Sequence, residues 1–149
     1  MAANATASLR YGDYSQFKAE EFEFLTVGGQ LTKFEGKVPT HLHMNEDIQS
    51  VEDVLQEWRF GFGGEPSIQD NNSKYGGRWR TNQKSLYEMR SSVVMEFVRL
   101  VTKEGLSSQE AVQRLIQLQG HRTVTRLGRD LKMLRIKRKN ARLDSSRRK

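Results

Sequence analysis

Apolar residues recur along most of this 149-residue chain at three- and four-residue steps, the spacing that lines one face of a helix. Ile48, Val51, Val54 or Leu55, and Trp58 form the first stripe, with acids in its first turn, and predict a helix from about Asp47 to Trp58. Trp58 reads as a core anchor. Gly61, Gly63 and Gly64 end the helix, and Pro66-Ser67 open a short second one. Ser67 can cap it, with Asp70 three residues on, and Ile68 and Tyr75 turn inward before Gly76-Gly77 stop it. Trp79 then falls between Arg78 and Arg80 and is expected in the core, pinning the two arginines outward. Thr81 or Asn82 can cap a third and longest helix, which runs to Gly105 on Leu86, Met89 or Arg90, Val93, Val94, Phe97, Val98 and Val101. Ser107 with Glu110 makes a capping box for a fourth helix, packed through Ala111, Val112, Leu115, Ile116 and Leu118 and closed by Gly120. Thr123 caps a fifth, with Val124, Leu127, Leu131 and Leu134 at helical spacing. Beyond Ile136 the periodicity dissolves into KRKNARLDSSRRK, which offers nothing to bury and should be mobile.

The N-terminal third has a different rhythm. Residues 1–20 are small and polar around Tyr11, Tyr14 and Phe17, and suggest disorder or loose docking. In residues 21–35 Phe22 and Phe24 alternate with glutamates ahead of Gly28-Gly29, a β-hairpin signal. The expected fold is therefore mainly α: a helical bundle with a helix-turn-helix or Myb-like core and a small N-terminal β-hairpin. The domain plan is an arm over 1–45, a helical domain over 46–136 and a basic disordered tail over 137–149.

Charge sharpens this plan because it is unevenly spread. Residues 1–50 carry a net −3, residues 51–121 are neutral, and residues 122–149 carry +10, with twelve Lys/Arg against Asp130 and Asp144. A tail of that density attracts a polyanion, nucleic acid above all. Cysteine is absent, so no disulfide framework or thiolate metal site can form. No apolar run is long enough to span a membrane, and the N-terminus lacks the layout of a secretory signal.

Catalysis finds no support. His41 and His43 share one face of an extended segment, but no third or fourth ligand at matching spacing follows. There is no serine elbow, no cysteine nucleophile, and no Lys-Ser/Thr ending to make GFGGEP a phosphate loop. Leu118-Gln119-Gly120-His121 resembles the histidine box of tyrosine recombinases, yet no tyrosine follows Tyr87 to act as nucleophile. No enzyme, cofactor, metal or small-molecule substrate is expected.

Binding fits better. Two short helices, a tight turn and a longer helix with a basic polar face describe a helix-turn-helix-like module. Its contact positions are Arg78, Arg80, Asn82, Lys84, Tyr87, Arg90 and Ser91 around the start of the third helix. Lys74, Asn71 and Asn72 on the outer face of the second helix, and Arg126, Lys137, Arg138 and Lys139 toward the C-terminus, would hold phosphates. An RNA or non-specific nucleic-acid binder, and a protein-interaction module of a kinetochore or recombinase-derived protein, are the competing classes.

The series Gly61, Gly64, Pro66, Ser67, Ile68, then Tyr75-Gly76-x-x-Trp79-Arg80, Tyr87, Arg90 and Gly105-Leu106-Ser107 resembles the C-terminal DNA-binding domain of fungal transcriptional activators of glycolytic genes. The same domain type occurs in related osmostress and pseudohyphal-growth regulators. The resemblance covers about Asp47 to Leu134 and implies sequence-specific binding of double-stranded DNA at C/T-rich sites in the nucleus, alongside other transcription factors. Met89-Arg90-Ser91-Ser92 stands where such domains often carry a longer arginine run, so the target sequence does not transfer. No activation domain is evident, as expected for a piece of a larger protein.

Overall fold

The computed structural model describes residues 13–24, 37–39 and 41–147. Among them are five α-helices and no strand: α1 (Val51–Arg59), α2 (Ile68–Tyr75), α3 (Lys84–Thr102), α4 (Ser108–Gln119) and α5 (Val124–Arg147). A 3-10 turn spans Ala19–Glu21, and a 3-10 segment, Arg78–Gln83, leads into α3. Of the expected hairpin, Glu21 closes the first 3-10 turn and residues 22–24 are irregular; residues 25–36 lie outside the described residues.

Local chemistry sets most helix ends. Ser50, Ser67 and Ser107 each accept the amide three residues on (Asp53, Asp70 and Glu110) at 3.1 Å, filling one of the donors a helix start leaves open. Glu110 returns the bond to the Ser107 amide at 3.0 Å, completing the capping box. Because Ser50 caps it, α1 begins at Val51, four residues later than periodicity suggests. Gly61 turns the chain at φ +97°, where a β-carbon would sit 2.2 Å from the Glu65 carbonyl oxygen. Neither Thr81 nor Asn82 caps α3. The 3-10 segment occupies those positions, and the Thr81 hydroxyl donates to the Arg78 carbonyl at 2.9 Å.

The core gathers Trp58, Val93, Val94, Phe97, Leu100, Val112 and Leu115 with the inner face of α5. Two segments expected outside it belong to the fold. Tyr14, Phe17, Ala19 and Phe22 are buried, as are Leu42 and Met44. The Phe22 and Phe97 rings lie 5.3 Å apart, and the Ser108 hydroxyl donates to the Phe17 carbonyl at 2.5 Å. Burial also pushes the Tyr14 hydroxyl up to about 12, helped by Glu52 beside it. Residues 13–24 are thus part of the helical unit, and the boundary near residue 45 does not hold there. Their aromatics add buried apolar area to the helical core.

The second segment is the basic C-terminus. The expectation of a disordered tail from residue 137 is corrected: α5 continues to Arg147. Lys, Arg, Ala and Leu are strong helix formers and no Gly or Pro interrupts them. The extension is also tied to α3. Gly128 abuts Met89, Lys132 bonds Glu88 at 2.7 Å, Arg135 contacts the Met95 sulfur, and Arg138 bonds Glu96 at 2.9 Å. From Gly128 against Met89 to Arg135 on Met95 and Arg138 on Glu96 the contacts advance in the same direction on both helices, so α3 and α5 run parallel, with α4 as the return path. Leu134 is 39% exposed and Leu118 43%, so both fall outside the core stripes assigned to them; Ala111, Val112, Leu115, Leu127 and Leu131 fill the packed positions.

Candidate nucleic-acid interface

The approach to α3 is built on a buried asparagine. The Asn72 side-chain oxygen accepts from Trp79 Nε1 at 3.0 Å and from Arg80 Nε at 3.2 Å, while its amide nitrogen donates to the Tyr87 hydroxyl at 3.2 Å. One side chain thereby ties α2, the 3-10 segment and α3 together. Trp79 is 6% exposed, in the core as its spacing suggests. The Arg80 guanidinium lies 3.4 Å from the centroid of the Tyr87 ring, and that ring packs on Trp58 at 5.2 Å. Burial lowers the Arg80 pKa and raises that of Tyr87, and the arginine beside the phenol opposes the second shift. Arg80 is half-buried and folded back onto the domain, so Trp79 does not hold both arginines outward as expected.

Two glutamines fix the same region from the other side. Gln83 Nε2 donates to the Met44 carbonyl at 3.0 Å and its Oε1 accepts the Met44 amide at 2.7 Å. Gln69 bridges the Glu21 carbonyl and the Glu23 amide at 3.1 and 3.2 Å. Trp58 Nε1 adds a bond to the Glu23 carbonyl at 2.9 Å. Each amide mimics a strand partner for an extended segment that has no sheet. Asn72, Gln83 and Gln69 are not recognisable as organisers from sequence, because nothing local marks a polar side chain whose partner is distant in sequence.

The candidate contact residues separate into two groups. Lys74, Arg78, Asn82 and Lys84 are exposed around the 3-10 segment and the first turn of α3. Arg126, Arg129, Lys137 and Lys139 are exposed along α5, and Arg122 is exposed just before it. The first turns of α5 lie beside those of α3, which brings Arg126 to the same end of the helix pair as Lys84.

Other candidates are withdrawn by burial. Arg90 is 3% exposed; Nη1 bonds Glu57 at 2.6 Å and Nη2 donates to the Asn45 carbonyl. Glu57 also accepts the Asn45 amide at 2.8 Å, closing a buried cluster. Desolvation pushes the Glu57 carboxyl up and the Arg90 guanidinium down, each partly offset by the other's charge. Arg90 therefore cannot reach a ligand. Ser91, Asn71 and Asn72 are buried as well, and Tyr87 serves as the platform for Arg80. Arg138 is engaged by Glu96.

A family model described as transcriptional activator of glycolytic enzymes matches residues 42–118, just over half of the chain. The chain belongs to this family. The match takes in the Asn72 hub, the 3-10 segment, α3 and α4, and stops before α5. Among curated proteins, the high-osmolarity-induced transcription protein 1 of Kluyveromyces lactis is 33% identical over 66 residues, 44% of this chain and 10% of that protein. The transcription factor-like protein EUC1 of Saccharomyces cerevisiae is 31% identical over 80 residues, 50% of this chain and 17% of that protein. The chain thus corresponds to a small part of each of these relatives. No solved structure matches it. The family is one of fungal transcription regulators, as the resemblance in the sequence implies, and the fold is mainly α.

Proposed function

We propose that this chain binds double-stranded DNA with sequence preference, as the DNA-binding part of a nuclear transcription regulator. The observation that carries the reading is the Asn72-centred pin. It holds the turn before α3 rigid while Arg78, Asn82 and Lys84 remain exposed around it. A fixed turn delivering an amide and cations to one helix start is what base readout requires, since contacts must be placed to within a fraction of an ångström. Asn82 and Lys84 read base edges, and Arg80 contributes the exposed part of a guanidinium oriented by Tyr87. Lys74, Arg78, Arg126, Lys137 and Lys139 neutralise phosphates. Membership of a family of transcription regulators supports the same assignment.

Selection of bound duplexes from a random pool, followed by fluorescence anisotropy on the winner and a scrambled duplex, tests it. A preference of at least tenfold for the selected duplex is expected. Equal affinity for the two, or stronger binding to RNA of the same sequence, overturns it.

A further inference from the structure

The C-terminal halves of α3 and α5 enclose a groove of about 690 Å³ that the DNA-binding reading does not use. Its apolar lining consists of buried Leu131, half-buried Met95 and exposed Ala141. Its rim is cationic, with Arg99, Lys103, Arg135, Arg138 and Arg142 against one carboxylate, Glu96. Glu96 is held by Arg99 at 2.9 Å and Arg138 at 2.9 Å. Lys103, Arg135 and Arg142 make no ion pair among the described residues. Arg135 is laid against the Met95 thioether, a weak acceptor that a carboxylate would readily replace.

We propose that this groove is a docking site for an acidic amphipathic segment of a partner protein, its apolar residues on Met95, Leu131 and Ala141 and its carboxylates on Lys103, Arg135 and Arg142. The charge excess on the rim selects an acidic occupant. The apolar lining selects a peptide over a phosphate backbone, which would gain nothing from it. A methionine in the lining adapts to side chains of varied shape. From Leu131 to Arg142 the groove runs roughly 16 Å along α5, about three helical turns of ligand. Lys84 lies at the opposite end of the α3–α5 pair, and Lys137 and Lys139, on the same stretch of α5, do not line the groove, so duplex and peptide can be bound together.

The test uses the full chain and a labelled 16-residue peptide carrying Leu and Phe at i, i+3, i+4 and i+7 with Asp and Glu elsewhere. Its control keeps the charges and replaces the apolar residues by Ser. Anisotropy should show binding that weakens at least tenfold with the control peptide and at least tenfold in Arg135→Glu/Arg142→Glu. A short duplex should not displace the peptide, and Lys84→Ala should leave peptide affinity unchanged whatever it does to duplex binding. Absence of binding, equal binding of the Ser control, displacement by duplex, or full affinity in the charge-reversal variant overturns the proposal. Should the double variant lose its far-UV dichroism, Lys103→Glu carries the same readout.

Discussion

A β-carbon placed on Gly128 would lie 2.4 Å from the carbonyl oxygen of Met89 and 2.8 Å from its carbonyl carbon. The backbones of α3 and α5 touch at this point. In an unencumbered helix interior, Gly→Ala stabilises by about 0.8–1.0 kcal/mol. Here the neighbour is main chain in the middle of a helix and cannot rotate aside. Gly128→Ala is expected to destabilise by about 1–3 kcal/mol, the cost of forcing atoms into a filled space. Urea unfolding measures it, and a gain in stability would mean that α5 slides freely on α3.

The Asn72 hub predicts a coupled loss. Asn72→Ala strips the Trp79 indole of its acceptor in a buried setting and frees Arg80 from one of its two anchors. Leaving a buried donor unpaired costs about 1–3 kcal/mol. Duplex affinity should also fall at temperatures where the variant is fully folded, because the turn before α3 loses its fixed geometry. Tyr87→Phe keeps the ring under Arg80 and removes only the hydroxyl that accepts from Asn72. It should be the milder change on both measurements, and the reverse order would show that the ring is not what orients Arg80.

Arg90 and Glu57 give a prediction about pH. Arg90→Ala leaves Glu57 buried without its counter-charge, a change that typically costs 3–5 kcal/mol, roughly, when one member of a buried pair is removed. Burial already raises the Glu57 pKa, and loss of Arg90 removes the main influence opposing that rise. A group whose pKa is raised on folding takes up its proton more readily in the folded state. Its neutral form is therefore tolerated below the unfolded pKa, and stability is lost as pH climbs through the raised folded value. The deficit of Arg90→Ala against the parent should shrink on acidification. Thermal unfolding followed from neutral pH down toward the ordinary carboxylate range checks this; a deficit that grows in acid would reverse the assignment.

The legible parts of this fold are those whose cause is local. Ser67 with Asp70 and Ser107 with Glu110 declare helix starts within four residues, and the apolar stripes of α1 and α3 declare their buried faces. Arg90 lies between apolar positions on α3, where a 3.6-residue period cannot separate a boundary cation from a buried one; only Glu57, 33 residues away, decides it. Asn72, Gln69 and Gln83 carry no local sign, since their partners are up to 48 residues distant. Gly128 looks like a blemish in a helix until α3 is laid across it. The basic segment after Ile136 has no apolar period to report its helix, yet its composition favours one and Glu96 anchors it. For the candidate site, Lys74, Arg78, Asn82 and Lys84 were read from a pattern of motifs and emerge exposed, while the pin that fixes them did not show.

Phosphate contacts and base contacts should part company on salt and sequence. Lys137 and Lys139 are exposed on α5, away from the turn that presents Asn82 and Lys84. Lys137→Ala/Lys139→Ala should weaken preferred and scrambled duplexes alike. The slope of log affinity against log salt should flatten by about one for each phosphate contact removed. Asn82→Ala should instead cost ~1–3 kcal/mol on the preferred duplex and little on the scrambled one, with the slope unchanged, because an amide neutralises no phosphate. Titrations at several salt concentrations on both duplexes separate the two behaviours. If Asn82→Ala lowers both affinities equally, the start of α3 faces the backbone and base readout must come from another element; if the double lysine variant changes only the preferred duplex, α5 itself lies in a groove.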